Sequence, residues 1–317
     1  MQSERSNGAL FSQIMNIFNR LVVAFVPAVP KQIVRRFANR YIAGETLDEA
    51  VGVVRQLNEQ GMMATLDVLG EDITTREEAT AAVVESEDVL RRIASEKLDA
   101  NLSVKLSSIG LKLDKSFCLD NTRKIVQTAR SLNNFVRIDM EDSTCTTDTI
   151  DIYTKLSKEM KNVGIVLQAY MKRSAADTAK FVPTKSNVRL CKGIYNESPE
   201  IAFKEYDEIN KNYVSLLRTM LEGKCYVGIA THDTPLVESA FQIIREMNLQ
   251  HNEYEFQMLL GVRKDLRDSI VRAGHRMRIY VPFGKDWYGY SIRRFRENPQ
   301  VAGQVFRSIV FPWNSHS

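Results

Sequence analysis

Eight short runs rich in apolar and β-branched residues recur along the chain, at 62–69, 101–106, 135–140, 163–169, 187–192, 225–230, 253–259 and 277–281. Nearly every one ends in a polar or charged residue. Helix-period stretches fill the gaps near 75–97, 119–131, 147–160, 174–181, 198–222, 234–249 and 262–274, and a last helix spans about 286–298 before Pro299. Strands alternating with helices predict parallel pairing through βαβ units. Eight such units predict an α/β fold of the closed (β/α)8, TIM-like kind, whose active site lies at the C-terminal ends of the strands. Lys105, Asp139, Gln168, Arg189, Lys192, Thr231 and His232 all fall at or near those ends, and so gather around one rim.

Residues 1–61 read as an N-terminal helical arm, with helices near 9–26, 30–43 and 46–60. The third opens with Thr46 and Glu49 in capping-box spacing and closes at Gly61; Thr75 and Glu78 repeat the box before the next helix. Asp148, Ser174, Ser198 and Thr234 are candidate N-caps. No Gly/Ser- or Pro-rich linker divides the chain, so 62–300 reads as one barrel, with 301–317 as a tail. The stretch 9–26 carries one charge, Arg20, but Asn16, Asn19 and Gln13 argue against a full membrane span. It fails as a secretory signal because Glu4 sits beside Arg5 in the leading segment. It is either a helix packed on the barrel or an apolar face resting on a membrane or a partner.

Composition narrows the classes further. A hydrophobic fraction of 44% supports a packed core, and a net charge of +4 with both signs interspersed gives no nucleic-acid signature. No run of five Lys/Arg marks a polybasic lipid-binding tail. The four cysteines form no CxxC pair, which argues against a disulfide framework or a zinc site and for a reducing cytoplasm. No HExxH, GxGxxG or GxxxxGK[ST] is present, so neither a metal centre nor a Rossmann or P-loop nucleotide site is signalled.

The last helix holds the most informative local pattern. Tyr290 lies three and four residues before Arg293 and Arg294, so one face presents a phenol and two guanidiniums. Above a barrel mouth they would clamp a carboxylate or phosphate; on a solvated face, Glu297 would simply pair with Arg293. Arg189 and Lys192 close the fifth strand, where Gly193 permits a turn and a close backbone approach. Asp139 is a partner for Arg189 or a catalytic carboxylate. Lys105 pairs with Asp139, binds a substrate anion, or acts as a Schiff-base nucleophile. Gln168 is an amide on an otherwise apolar strand, and Asp233 is placed to fix the tautomer of His232 beside Thr231.

Seven blocks together, SVKLS (103–107), VRIDMEDS (136–143), GIVLQAYMKRS (164–174), VRLCKGIYNE (188–197), IATHD (229–233), YEFQMLLGV (254–262) and RIYVPFGKDWYGYSIRRFRENP (278–299), closely resemble the proline dehydrogenases. The likeness runs in order from about 60 to 300 and looks like the monofunctional bacterial form. It implies a distorted (β/α)8 barrel holding FAD non-covalently, oxidising L-proline to Δ1-pyrroline-5-carboxylate and passing electrons to membrane quinone. Such an enzyme would be cytoplasmic and peripheral on the inner face of the membrane. Carried over by motif position, Lys105, Arg293 and Arg294 bind the proline carboxylate, supported by Glu297, and Tyr280, Tyr290 and Leu259 line the pocket. Asp139 and Arg189 are active-site residues, Arg189 near flavin N5. Met140, Gln168, Lys192, Gly193, Ile194, Thr231 and His232 hold the cofactor. Ile194 stands where the family often has a smaller residue, and either narrows the pocket or is neutral. Two other readings remain from the residues alone: an aldolase-like lyase using Lys105 or Lys192, and a non-catalytic barrel whose N-terminal helix recruits a partner or membrane.

Overall fold

The computed structural model describes residues 34–35, 38–70 and 73–297, the last five of these by backbone alone. Helix α1 (Leu47–Glu59) precedes the barrel. Eight strands then alternate with helices: β1 (Met63–Val68), α2 (Arg76–Ser95), β2 (Ala100–Val104), α3 (Lys115–Ser131), β3 (Val136–Ile138), α4 (Ser143–Glu159), β4 (Val163–Gln168) and α5 (Ser174–Phe181). The second half continues with β5 (Asn187–Cys191), α6 (Tyr206–Glu222), β6 (Tyr226–Ala230), α7 (Thr234–Glu246), β7 (Tyr254–Leu259), α8 (Lys264–Arg272), β8 (Met277–Phe283) and α9 (Trp287–Glu297). All neighbours pair in parallel, and β8 returns to β1 to close the barrel. The helix expected near 9–26 and the tail at 301–317 lie outside the described residues, as do 30–33 and 36–37 of the helix expected near 30–43.

The strands are covered on both faces, which is why they read as continuous apolar runs. Leu66, Leu102, Ile138, Ile165, Leu190, Ile229, Phe256 and Ile279 face outward under the helices and are fully or almost fully buried. The helices answer with apolar stripes at helical spacing, such as Ala50, Val54 and Leu57 on α1. Register places the alternate positions on the inner face. Thr65 sits beside Asn101, Ser103 beside Arg137, Arg189 beside Gly228, and Gln257 beside Arg278. The lumen is therefore lined largely by hydrogen-bonding side chains.

Both capping boxes form as expected, Thr46 with Glu49 and Thr75 with Glu78. The four other caps do not. Asp148 lies inside α4, and Asp142 caps that helix instead, while Asp114 caps α3, which begins four residues before the expected start. Ser174 and Thr234 are first helical residues rather than caps. Ser198 opens a turn, not α6. Residues 201–203 then pair back on the segment after β4, with Lys172 N donating to Ile201 O (2.9 Å) and Phe203 N to Tyr170 O (2.7 Å). That long-range pairing overrides the helical pattern of 198–205 and delays α6.

Candidate active site

At the C-terminal mouth, side chains from β2, β3, β5 and β8 meet across the lumen. Arg189 on β5 donates from Nη1 to Asp139 Oδ1 at 2.6 Å, just beyond the end of β3. Ser103 Oγ on β2 reaches the same oxygen (2.6 Å), and Tyr280 on β8 donates its hydroxyl to Oδ2 (2.8 Å). The Arg189 guanidinium carbon also lies 5.2 Å from the centre of the Tyr280 ring. Burial and the neighbouring Asp139 carboxylate push the Tyr280 phenol well above its usual pKa, so it stays protonated as a donor.

Beside this cluster Lys105 Nζ reaches both oxygens of Asp67, each at 2.8 Å. Lys105 thus does not pair with Asp139, the partner proposed from sequence. Asp139 is instead taken by Arg189, Ser103 and Tyr280. Burial, the largest influence, and the nearby Asp139 charge push Asp67 upward, with the Lys105 ammonium opposing them. Asp67 was not singled out from sequence, although an acid inside an apolar strand run is itself the signal.

The second group follows β5 and β6. Lys192 forms an ion pair with Asp233 and sits 4.3 Å from the centre of the Tyr206 ring, and Tyr206 donates its hydroxyl to Asp233 at 2.7 Å. Although partial burial works upward, these donors hold the Asp233 carboxyl below its ordinary range. Asp233 therefore does not orient His232, as the sequence suggested. His232 Nε2 accepts the Leu259 backbone N–H at 2.9 Å, which places the neutral ring's proton on Nδ1. Gly193 has φ +115°, and a Cβ there would lie 2.0 Å from the Tyr170 ring, so the turn is pressed against the end of β4. Ile194 is about half exposed, whereas Gln168, Met140 and Thr231 are buried.

Tyr290 is buried in a second apolar cluster with Leu69, Tyr41, Ile42 and Trp287, which anchors α9 over the β1–β8 side of the mouth. The side chains of Arg293, Arg294 and Glu297 lie outside what is described, though the backbone places all three on α9. A depression of about 770 Å³ opens at the opposite, N-terminal end, among Arg137, Glu255, Arg276 and Arg278. In barrels of this kind that end serves stability, and the C-terminal mouth carries the chemistry.

A closed parallel barrel with buried ion pairs converging at its mouth defines a (β/α)8 enzyme. Residues 50–307 match the family described as Proline dehydrogenase. Proline dehydrogenase 1 of Bacillus subtilis (strain 168) is 37% identical over 273 residues, 86% of this chain and 90% of its own. The proline dehydrogenase of Deinococcus radiodurans is 32% identical over 293 residues, covering 90% of this chain and 94% of that one. The crystal structure of proline utilization A from Bdellovibrio bacteriovorus, inactivated by N-propargylglycine, superposes with a TM-score of 0.80 at 25% identity, over 89% of this chain and 34% of that one. The present chain thus matches about a third of that larger protein. It belongs to the proline dehydrogenase family, an oxidoreductase family that carries out proline oxidation, the first step of proline catabolism. That assignment removes the lyase alternative.

Proposed function

We propose that the mouth holds FAD non-covalently and oxidises L-proline to Δ1-pyrroline-5-carboxylate, with the electrons leaving to a membrane quinone. The observation that carries this reading is the cluster of Arg189, Asp139, Ser103 and Tyr280, a fixed polar floor beneath the mouth. The donor set fits a flavin. Gln168, Lys192, Thr231 and the Nδ1–H of His232 follow three consecutive strands, with the backbone of Met140 and the Gly193–Ile194 turn beside them. When bound, the flavin supplies the two-electron acceptor that none of these side chains can provide.

The chain's own work is binding and orientation. Lys105, held at its carboxylate neighbour Asp67, with Arg293 and Arg294 from α9, gives the proline carboxylate a cationic seat. Glu297 supports the two arginines. Tyr280, Tyr290 and Leu259 shape the walls around the ring, and Arg189 presents its charge to the reacting region with Asp139 fixing its direction. Stretch 9–26 is the segment that would meet the membrane.

An anaerobic absorbance spectrum before and after L-proline tests the reading. Bleaching of a flavin band is the expected outcome. A flavin indifferent to proline would refute the substrate assignment, and a protein that takes up no FAD would refute the cofactor. Deleting residues 1–30 is expected to abolish co-sedimentation with quinone-bearing vesicles while flavin reduction persists.

A further inference from the structure

We infer that Gln257 is the positioning residue for Arg189, oriented by Glu255 and given room by Gly228. β7 carries Glu255 and Gln257 two residues apart on its inner face. Arg278 fastens Glu255 through Nε (2.7 Å) and Nη2 (3.2 Å), and the Tyr226 hydroxyl donates to it at 2.9 Å. An ionised carboxylate only accepts hydrogen bonds. The amide nitrogen of Gln257 must therefore be the atom facing Glu255, at 2.6 Å, and its oxygen must face away. That oxygen receives Arg189 Nε at 2.5 Å.

With Nε on Gln257 and Nη1 on Asp139, the guanidinium is held at two edges and its plane is fixed. Asp139 alone would leave a pivot. Space for the amide comes from β6. Gly228 lies in register between Arg189 and Glu255, and a Cβ there would sit 2.4 Å from Gln257 Nε2 and 2.9 Å from Cδ. None of Gln257, Glu255, Gly228 or Arg278 belongs to the residues assigned above to substrate or cofactor. The inference rests on Arg189 acting at the flavin and proline.

The test uses the FAD-loaded protein with Gln257→Met and Gln257→Glu, read by anaerobic stopped-flow. In Gln257→Met the limiting rate of flavin reduction is expected to fall about tenfold or more, the loss of one hydrogen bond to a charged group. Proline affinity stays nearly unchanged because Lys105 is untouched. In Gln257→Glu two carboxyl groups share one proton, so the reduction rate gains an ionisation that neither the parent protein nor Gln257→Met shows. In flavin-free protein labelled with [15N]arginine, the Arg189 Nε–H, assigned through Arg189→Lys, exchanges slowly in the parent and fast in Gln257→Met. If Gln257→Met does not fold, Gly228→Ala, which crowds the amide without removing it, is expected to give the same loss of reduction rate. Parental reduction rates in the folded variants, an unaltered pH profile in Gln257→Glu, or equal Nε–H exchange would each overturn the inference. A parent protein whose flavin ignores proline sinks the functional reading instead, and the Nε–H comparison still decides the role of Gln257.

Discussion

Arg189 is 7% exposed and its partner Asp139 8%, so this pair has left water almost completely. Such a pair adds little beyond a well-packed apolar pair, but removing one partner leaves a bare charge in the core. Asp139→Ala is therefore expected to destabilise the fold by about 3–5 kcal/mol, whereas Asp139→Asn, whose amide oxygen can still accept from Arg189 and Ser103, loses less. Urea unfolding with tryptophan fluorescence reads both; a Cm within error of the parent for Asp139→Ala would mean that water reaches the pair. Of this cluster, Asp139 and Arg189 were legible from sequence as opposite charges on the third and fifth strand runs within the blocks that carry the family resemblance. Asp67 and Gln257 were not, since each sits inside a run and gains meaning only from the strand across the lumen. Strand parity gives the face of a residue, not its partner.

At the scale of elements, local signals behaved differently from long-range ones. The two capping boxes were readable because all their atoms lie within four residues, and α2 shows the return bond from Thr75 N to Glu78 Oε2 at 3.0 Å. Thr75→Ala is expected to cost about 1 kcal/mol, lowering Tm by about 2–4 °C in calorimetry; no shift would mean the first turn frays regardless of its cap. The start of α6 was not readable, because residues 201–203 are held by backbone bonds to a segment some thirty residues earlier. β4 carries a requirement of the same long-range kind. A Cβ on Gly164 would lie 2.4 Å from Arg137 Nη1 and 2.6 Å from the Asn187 carbonyl oxygen, neither free to move. Gly164→Ala is expected to destabilise by about 1–3 kcal/mol as an overpacking change. A chemical-denaturation midpoint equal to the parent's would show that Arg137 has another place to go.

Across the whole molecule, the lumen forms one hydrogen-bonded column from Arg278 near the N-terminal floor, through Glu255 and Gln257, to Arg189 and Asp139 at the mouth. That column makes stability depend on acid in a defined direction. Burial alone would raise the pKa of Glu255, yet the Arg278 guanidinium, with bonds from Tyr226 and Gln257, brings it from 4.5 down to about 2. A carboxyl whose folded pKa is depressed contributes stability that is complete above its unfolded value and is lost as pH falls through the folded one. For Glu255 the loss spans from roughly pH 4.5 to about 2 and amounts to a few kcal/mol. Asp67 works the other way: burial raises its pKa, so protonation at falling pH relieves the fold. The total acid response of the protein therefore mixes opposite signs, and only a difference isolates Glu255. The stability gap between the parent and Glu255→Gln, from urea midpoints, is expected to be constant above about pH 5 and to narrow steadily below it. Parallel curves down to pH 3 would mean that Glu255 titrates normally, and the column would then lack the fixed anion that orients Gln257.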